Sequence, residues 1–231
     1  MEEKAAICIL IFAAAEWRAL KAHYPQVKLK LTPFGETFKL SIKDASVRFL
    51  HGGWGKVAAA ASTQYAIDRW QPERLINLGT CGGIKGRIKR GEIVLAEKTI
   101  IYDIYEQMSD PEQAILDYTV NFDLGWLPDP PPQPVITGTL ISADRDIIIS
   151  DIAELIAKYN AFVADWESGA IAWVAQRNDI PCLILRGVSD LVDATAGEAY
   201  GNYVLFTAQC KTIMADLNRN LAAWIACFLP A

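Results

Sequence analysis

Apolar runs and amphipathic stretches alternate along this chain, and the alternation predicts its elements. Residues 6–12 (AICILIF) form an uninterrupted apolar run, the pattern of a strand buried on both faces. Good helix formers follow over 13–23, then two short strands near 37–41 and 47–50. A Gly-rich turn at 51–56 leads to an Ala-rich helix over 57–70, ending before Pro72. A buried strand at 75–78 precedes the turn Gly79-Thr80-Cys81-Gly82-Gly83, and another strand follows at 93–96. Residues 102–134 carry the weakest periodicity and a Pro-rich end, and a loop of that length inside a compact domain is usually functional or mobile. Strands at 135–142, 161–163 and 181–185 then alternate with helices at 150–159, 167–178 and 207–229. This order predicts an α/β fold with a mostly parallel central sheet and helices on both faces. Residues 1–231 show no linker-like stretch and no repeat, so a single domain is expected.

Composition changes one part of this picture. Hydrophobic residues make up 52% of the chain and mean hydropathy is +0.16, which is greasy for a soluble monomer. The longest apolar run, 5–15, has eleven residues, against about 20 for a membrane span. The start, Met1-Glu2-Glu3-Lys4, is acidic, unlike a signal peptide. A cytoplasmic protein without membrane partners is expected, its apolar excess divided between core and a subunit interface. A formal net charge of −5 argues against a sequence-independent nucleic-acid partner. The five cysteines are odd in number and widely spaced, as expected of reduced structural thiols. Cys81, after a strand, is the one candidate nucleophile, but no sequence neighbour would lower its pKa.

Ligands of α/β sheets bind beyond the carboxyl ends of the strands. The polar residues at those positions are few: Glu16, the Gly79–Gly83 segment, Ser142 with Asp144, Asp165-Trp166-Glu167, and Ser189-Asp190. Three carboxylates and a loop of backbone donors would thus meet in one pocket. His23 and His51 are the only histidines, which leaves no metal-ligand cluster and no Ser-His-Asp triad. The glycines follow neither the Walker nor the GxGxxG spacing. Two plainer accounts stand beside this one: a tight turn at Gly79–Gly83, and acids that merely stabilise a helix N-terminus at 165–167.

Several motifs in order resemble the nucleoside phosphorylase/nucleosidase superfamily, most closely the 5′-methylthioadenosine/S-adenosylhomocysteine nucleosidases. They are Gly53-Trp54-Gly55-Lys56, Gly79-Thr80-Cys81-Gly82-Gly83 with Gly91-Glu92-Ile93-Val94 after it, Trp166-Glu167-Ser168-Gly169-Ala170, and Arg186-Gly187-Val188-Ser189-Asp190. The resemblance spans roughly residues 5–220 and implies a three-layer α/β/α sandwich that cleaves a purine N-glycosidic bond without a cofactor, in methionine salvage. It implies that Asp190 protonates or hydrogen-bonds adenine at N7, Ser189 positions Asp190, Glu167 grips the ribose hydroxyls and Glu16 orients or activates the attacking water. Thr80, Gly79 and Gly82 would line the ribose and water site, and Arg186 would be structural or stand behind the residues that touch substrate. Hexameric phosphorylases of the family carry an Arg three residues before the loop hydroxyl. Asn77 stands there, and Arg18 is expected to face solvent, so hydrolysis is favoured over phosphorolysis. Two positions depart from the nucleosidase pattern. Where an aromatic stacks on adenine this chain has Asp146, followed by Ile147, and Trp166 replaces the usual Met. A futalosine-type hydrolase is therefore an alternative, beside a phosphorylase and a nucleoside-binding protein with weak catalysis. The family also implies a homodimer, to which the aromatic-rich stretch 102–126 is the candidate contributor.

Overall fold

The computed structural model describes residues 4–229. The acidic start at Met1–Glu3 and the Pro230 end of the last apolar run lie outside the described residues. The first strand, β1 (Ile7–Ile11), is buried at every position. It pairs in parallel with strands on both sides and has no solvent face, which is why its sequence does not alternate. α1 (Ala14–Lys21) follows, then an antiparallel ribbon of β2 (Lys30–Leu31), β3 (Glu36–Ile42) and β4 (Ala45–His51). α2 (Gly55–Trp70) stops at Gln71, which takes a left-handed conformation just before Pro72. β5 (Arg74–Ile84) and β6 (Ile93–Ile101) come next.

The weakly patterned region holds α3 (Pro111–Leu116), whose start is capped by the Asp110 carboxylate, and the short β7 (Thr119–Asn121). β8 (Ile136–Ser142) leads through a single 3-10 turn to α4 (Ile152–Tyr159). β9 (Ala161–Asp165), α5 (Ser168–Arg177), β10 (Cys182–Val192) and α6 (Tyr203–Phe228) complete the described chain. Among the described residues no helix is long and apolar enough to cross a membrane.

Alternate residues of β1 enter two different cores. Ile7, Ile9 and Ile11 pack with Trp17 and Leu20 of α1 and with Met214, Leu217 and Trp224 of α6. Cys8 and Leu10 pack with Ala66 and Ile67 of α2 and Ile171 of α5. The mixed α/β fold with helices on both faces of β1 is thus as expected.

The rest of the sheet is not an open layer. β10 pairs with both β5 and β6, and β9 with both β5 and β8, so β5, β9, β8, β6 and β10 close into a ring. The sheet is also evenly mixed rather than mostly parallel. Five pairings are parallel and five antiparallel among the described residues. The reason lies in two strands longer than their apolar runs. β5 and β10 each continue for eleven residues. β5 pairs with β1 only as far as Asn77, and β9 takes up Gly82 and Gly83 beyond it. The expected tight turn at Gly79–Gly83 is therefore strand, paired along β10.

Candidate active site

A cavity of about 460 Å³ opens where β5, β9 and β10 reach their carboxyl ends beside the starts of α1, α5 and α6. Glu16, Thr80, Glu167, Ser189 and Asp190 all face it. Thr80 stands in the paired run of β5, and the others lie at the ends or breaks of their elements. Glu16 sits in the first turn of α1, where its carboxylate accepts the Ala13 N–H at 3.2 Å. Glu167 stands between β9 and α5, at the helix N-cap. The β10–β5 register slips between Val188 and Asp190, and a bulge of this kind bends the strand and re-aims its side chains. Both Ser189 and Asp190 are buried there.

One cation organises the acids. The Arg186 guanidinium is buried; its Nη2 lies 2.8 Å from Asp165 Oδ2 and 3.6 Å from Glu167 Oε2, and its Nη1 lies 3.8 Å from Glu16 Oε1. Its Nε donates to Ser168 Oγ at 3.0 Å and its Nη1 to the Thr80 carbonyl at 3.3 Å. Gly79 makes room for it, since a Cβ there would lie 2.1 Å from Arg186 Nη1.

Asp165 is fully engaged by this network. It also accepts from Ser142 Oγ at 2.6 Å and from the Ser168 N–H at 3.2 Å. The plainer account, an acid at a helix N-terminus, fits Asp165. It does not fit Glu167, which makes no cap bond and instead accepts the Gly55 N–H at 3.2 Å from the start of α2.

The charge balance shifts protons. Burial pushes the Glu167 carboxyl up to about 8; Arg186 resists this, and the Asp165 and Glu16 charges add to it. Burial also pushes Asp190 above the usual carboxylate range, against a hydrogen bond from Ser189 and with help from Glu198 and Asp146. Ser189 has one hydrogen and two acceptors in reach, Asp190 Oδ1 at 2.6 Å and the Cys81 carbonyl at 3.2 Å. When that hydrogen goes to Cys81, a neutral Asp190 is able to donate to the serine oxygen. Glu16 Oε1 accepts from Thr80 twice, from its N–H at 2.6 Å and its hydroxyl at 2.8 Å.

Of the residues singled out from sequence, Glu16, Thr80, Gly82, Ile147, Trp166, Glu167, Ser189 and Asp190 line the cavity. Gly79 does not; it lies behind, against Arg186 and Glu16. Cys81 lines the cavity but is no nucleophile: burial pushes its thiol well above the ordinary value, and its Sγ rests 3.6 Å from the Gly187 carbonyl. Asn77 is buried between the Leu10 carbonyl and Ser168 Oγ, at 2.9 and 3.2 Å, and Arg18 is exposed on α1. Arg145, a cation of the cavity wall, pairs with Asp151 at 3.4 Å.

The pattern reading missed four aromatic side chains of the wall, Trp54, Tyr200, Tyr203 and Phe206. Trp54 stacks on Trp166, ring centroids 4.4 Å apart. Its place inside Gly53-Trp54-Gly55-Lys56, ahead of a helix, was a usable signal. Tyr200 and Phe206 reach the cavity from around the start of α6 and follow no buried strand.

Curated relatives share this chain's sequence at a modest level. A 5′-methylthioadenosine/S-adenosylhomocysteine nucleosidase of Buchnera aphidicola subsp. Schizaphis graminum is 27% identical over 78% of this chain and 82% of its own. The protein of that description from Listeria innocua serovar 6a is 26% identical over 86% of this chain and 91% of its own. The structure of a futalosine hydrolase mutant of Helicobacter pylori superposes with a TM-score of 0.79 at 16% identity, over 98% of this chain and 99% of that one, and so shares the fold. The family model described as the phosphorylase superfamily matches residues 6–223, nearly the whole chain, and the chain belongs to that superfamily.

Proposed function

We propose that this protein is a purine nucleosidase that hydrolyses the N-glycosidic bond of a 5′-modified adenosine-type nucleoside. The observation that carries the reading is the pairing of two buried acids in one cavity. Asp190 has its proton affinity raised beside a serine hydroxyl, and Glu167 stands with Glu16 around Arg186. The relatives named as nucleosidases support it.

Breaking a glycosidic bond asks for a proton on the leaving base and negative charge near the sugar, where an oxocarbenium ion develops. Neutral Asp190 gives its proton to N7 of the base, and Ser189 then donates to the new carboxylate. Burial raises the proton affinity of Glu167, its carboxyl being pushed up to about 8. As the nucleoside binds, Glu167 releases its proton to solvent water, and the carboxylate left behind faces the ribose, where its attraction for the positive charge grows toward the transition state. Water attacks the anomeric carbon and passes its proton to Glu16, whose oxygens are aimed by Thr80 and Ala13.

Phosphate as nucleophile would need cationic donors. Asn77 is locked away from the cavity and Arg145 is already paired with Asp151, which favours water. The Trp54–Trp166 stack beside Glu167 favours one second reading, a futalosine-type hydrolase with a large flat 5′ substituent. Purified protein incubated with methylthioadenosine, adenosylhomocysteine, adenosine, inosine and futalosine, with and without phosphate, separates these readings. Free base should appear without phosphate; strict dependence on phosphate would overturn the hydrolase reading.

We further propose a cytoplasmic homodimer acting as one domain per chain. Trp54 and Val57 at the start of α2, Tyr203 and Val204 at the start of α6, and Tyr105 and Met108 after β6 are all exposed. A partner chain covering them would account for the apolar excess in the composition.

A further inference from the structure

We infer that Tyr200 is the aromatic platform on which the base of the substrate stacks. The inference rests on the purine reading of the site and names a residue that motif comparison does not reach. The position where an aromatic was expected holds Asp146, an exposed carboxylate on the cavity wall, which has no π-face to offer. The ring comes from the β10–α6 connection instead.

Three features hold that ring flat and still. A Cβ at Gly197 would lie 2.8 Å from Cδ1, Cδ2 and Cε1 of Tyr200 alike, so one ring face lies directly over the bare glycine backbone. The Tyr200 hydroxyl donates to the Ile147 carbonyl at 2.6 Å, across the cavity wall. The connection itself is tightly folded. Asp193 Oδ1 accepts from the Thr195 N–H, the Thr195 hydroxyl and the Ala196 N–H at 2.6–3.1 Å, Lys85 holds Asp193 Oδ2 at 2.7 Å, and Glu198 Oε2 accepts the Leu191 N–H at 3.0 Å.

With one face on Gly197, the other is free; Tyr200 is 41% exposed and lines the cavity. It belongs to the Asp190 end. Its hydroxyl is bonded to Ile147, and burial first, then the nearby Asp146 and Asp190 carboxyl groups, raise its pKa. The other aromatics are engaged elsewhere: Trp54 is stacked against Trp166 beside Glu167, the Tyr203 hydroxyl lies 3.4 Å from Arg18 on α1, and the Phe206 ring packs on Tyr203 with centroids 5.9 Å apart.

Calorimetric titration of the full chain with adenine, alongside KM and kcat on the best nucleoside, tests this. Base–aromatic stacking predicts that Tyr200→Ala weakens adenine binding and raises KM by about 10-fold or more. Tyr200→Phe keeps the ring and its seat on Gly197 and loses only the hydroxyl anchor, so its adenine affinity should stay within about 3-fold of wild type, the size of one neutral hydrogen bond. A Tyr200→Ala protein that binds adenine like wild type overturns the platform, and so does a Tyr200→Phe protein as impaired as Tyr200→Ala, because the tyrosine would then serve only to anchor the segment. A wild-type protein that neither binds adenine nor releases a purine overturns the purine reading itself, which is a separate outcome.

Discussion

Replacing Glu167 by Gln removes a charge from the most crowded electrostatic position in the molecule and keeps its shape. In the folded protein the Glu167 carboxyl titrates near 8, against 4.5 for an unperturbed glutamate. Between those two values the folded state holds a proton that the unfolded state has released. Stability therefore falls as pH rises through this window, because protons are bound more tightly by the folded state. Each tenfold difference in proton affinity is worth 1.36 kcal/mol, so the cost of charging Glu167 reaches about 5 kcal/mol above pH 8. Glu167→Gln never bears this cost. Urea unfolding of both proteins from pH 4 to pH 9 reads the effect as a difference, in which every titration common to the two cancels. The variant should match wild type within about 1 kcal/mol below pH 5. Its advantage should then grow with pH and level off past pH 8, while its turnover is lost at every pH because it cannot form the anion. A stability difference that stays flat from pH 5 to pH 9 would refute the reasoning, since Glu167 would then be ionised alike in both states.

Three further substitutions probe the same site. Arg186→Met leaves Asp165, Glu16 and Glu167 without their buried cation and should cost about 3–5 kcal/mol in thermal or urea unfolding; an unchanged melting midpoint would mean the acids hold themselves. Gly79→Ala puts a methyl group 2.1 Å from Arg186 Nη1 and 2.9 Å from Glu16 Oε1, so it should destabilise by about 1–3 kcal/mol and lower activity together, and a variant with wild-type turnover would show that the guanidinium is free to move. Asp190→Asn should lower kcat by about 100-fold or more with the fold intact and the melting midpoint not lowered, and wild-type activity in that variant would remove Asp190 from the proton-transfer role.

Much of the fold was readable because burial leaves a direct trace in composition. The apolar runs of β1 and the first half of β5 mark strands with neighbours on both sides, and Gln71-Pro72 marks a helix end through backbone sterics alone. The closure of the sheet left no such trace. The second halves of β5 and β10 are strands made of Gly79-Thr80-Cys81-Gly82-Gly83 and Arg186-Gly187-Val188-Ser189-Asp190. Those residues have low strand propensity and look like turns. They stay extended because each strand is the other's partner, which is a property of the pair and not of either segment. Pattern reading also takes glycine for a turn residue. Gly79 serves instead for close approach, at the point where Arg186 crosses β5.

The same argument separates the readable part of the site from the hidden part. Glu16, Glu167 and Asp190 could be listed because each follows a buried strand within a few residues, and polar groups there have no structural reason to be apolar or absent. What decides their chemistry is contact across long sequence distances. Arg186 meets Asp165, Glu16 and Glu167 only when β1, β9 and β10 have all paired with β5. This is why Arg186, expected to be structural or to stand behind the contacts to substrate, bears on Glu167, whose proton affinity burial raises and the guanidinium restrains. One guanidinium shared among three carboxylates cannot neutralise all of them, and Asp165, with the shortest contact and two serine partners, takes the largest share. Glu167, 3.6 Å from the same cation and bonded otherwise to one peptide N–H, is left with the excess charge. The serines at 142 and 168 therefore reach the chemistry through Asp165. By bonding that carboxylate in place against Arg186, they leave Glu167 the group whose proton is free to respond to a substrate.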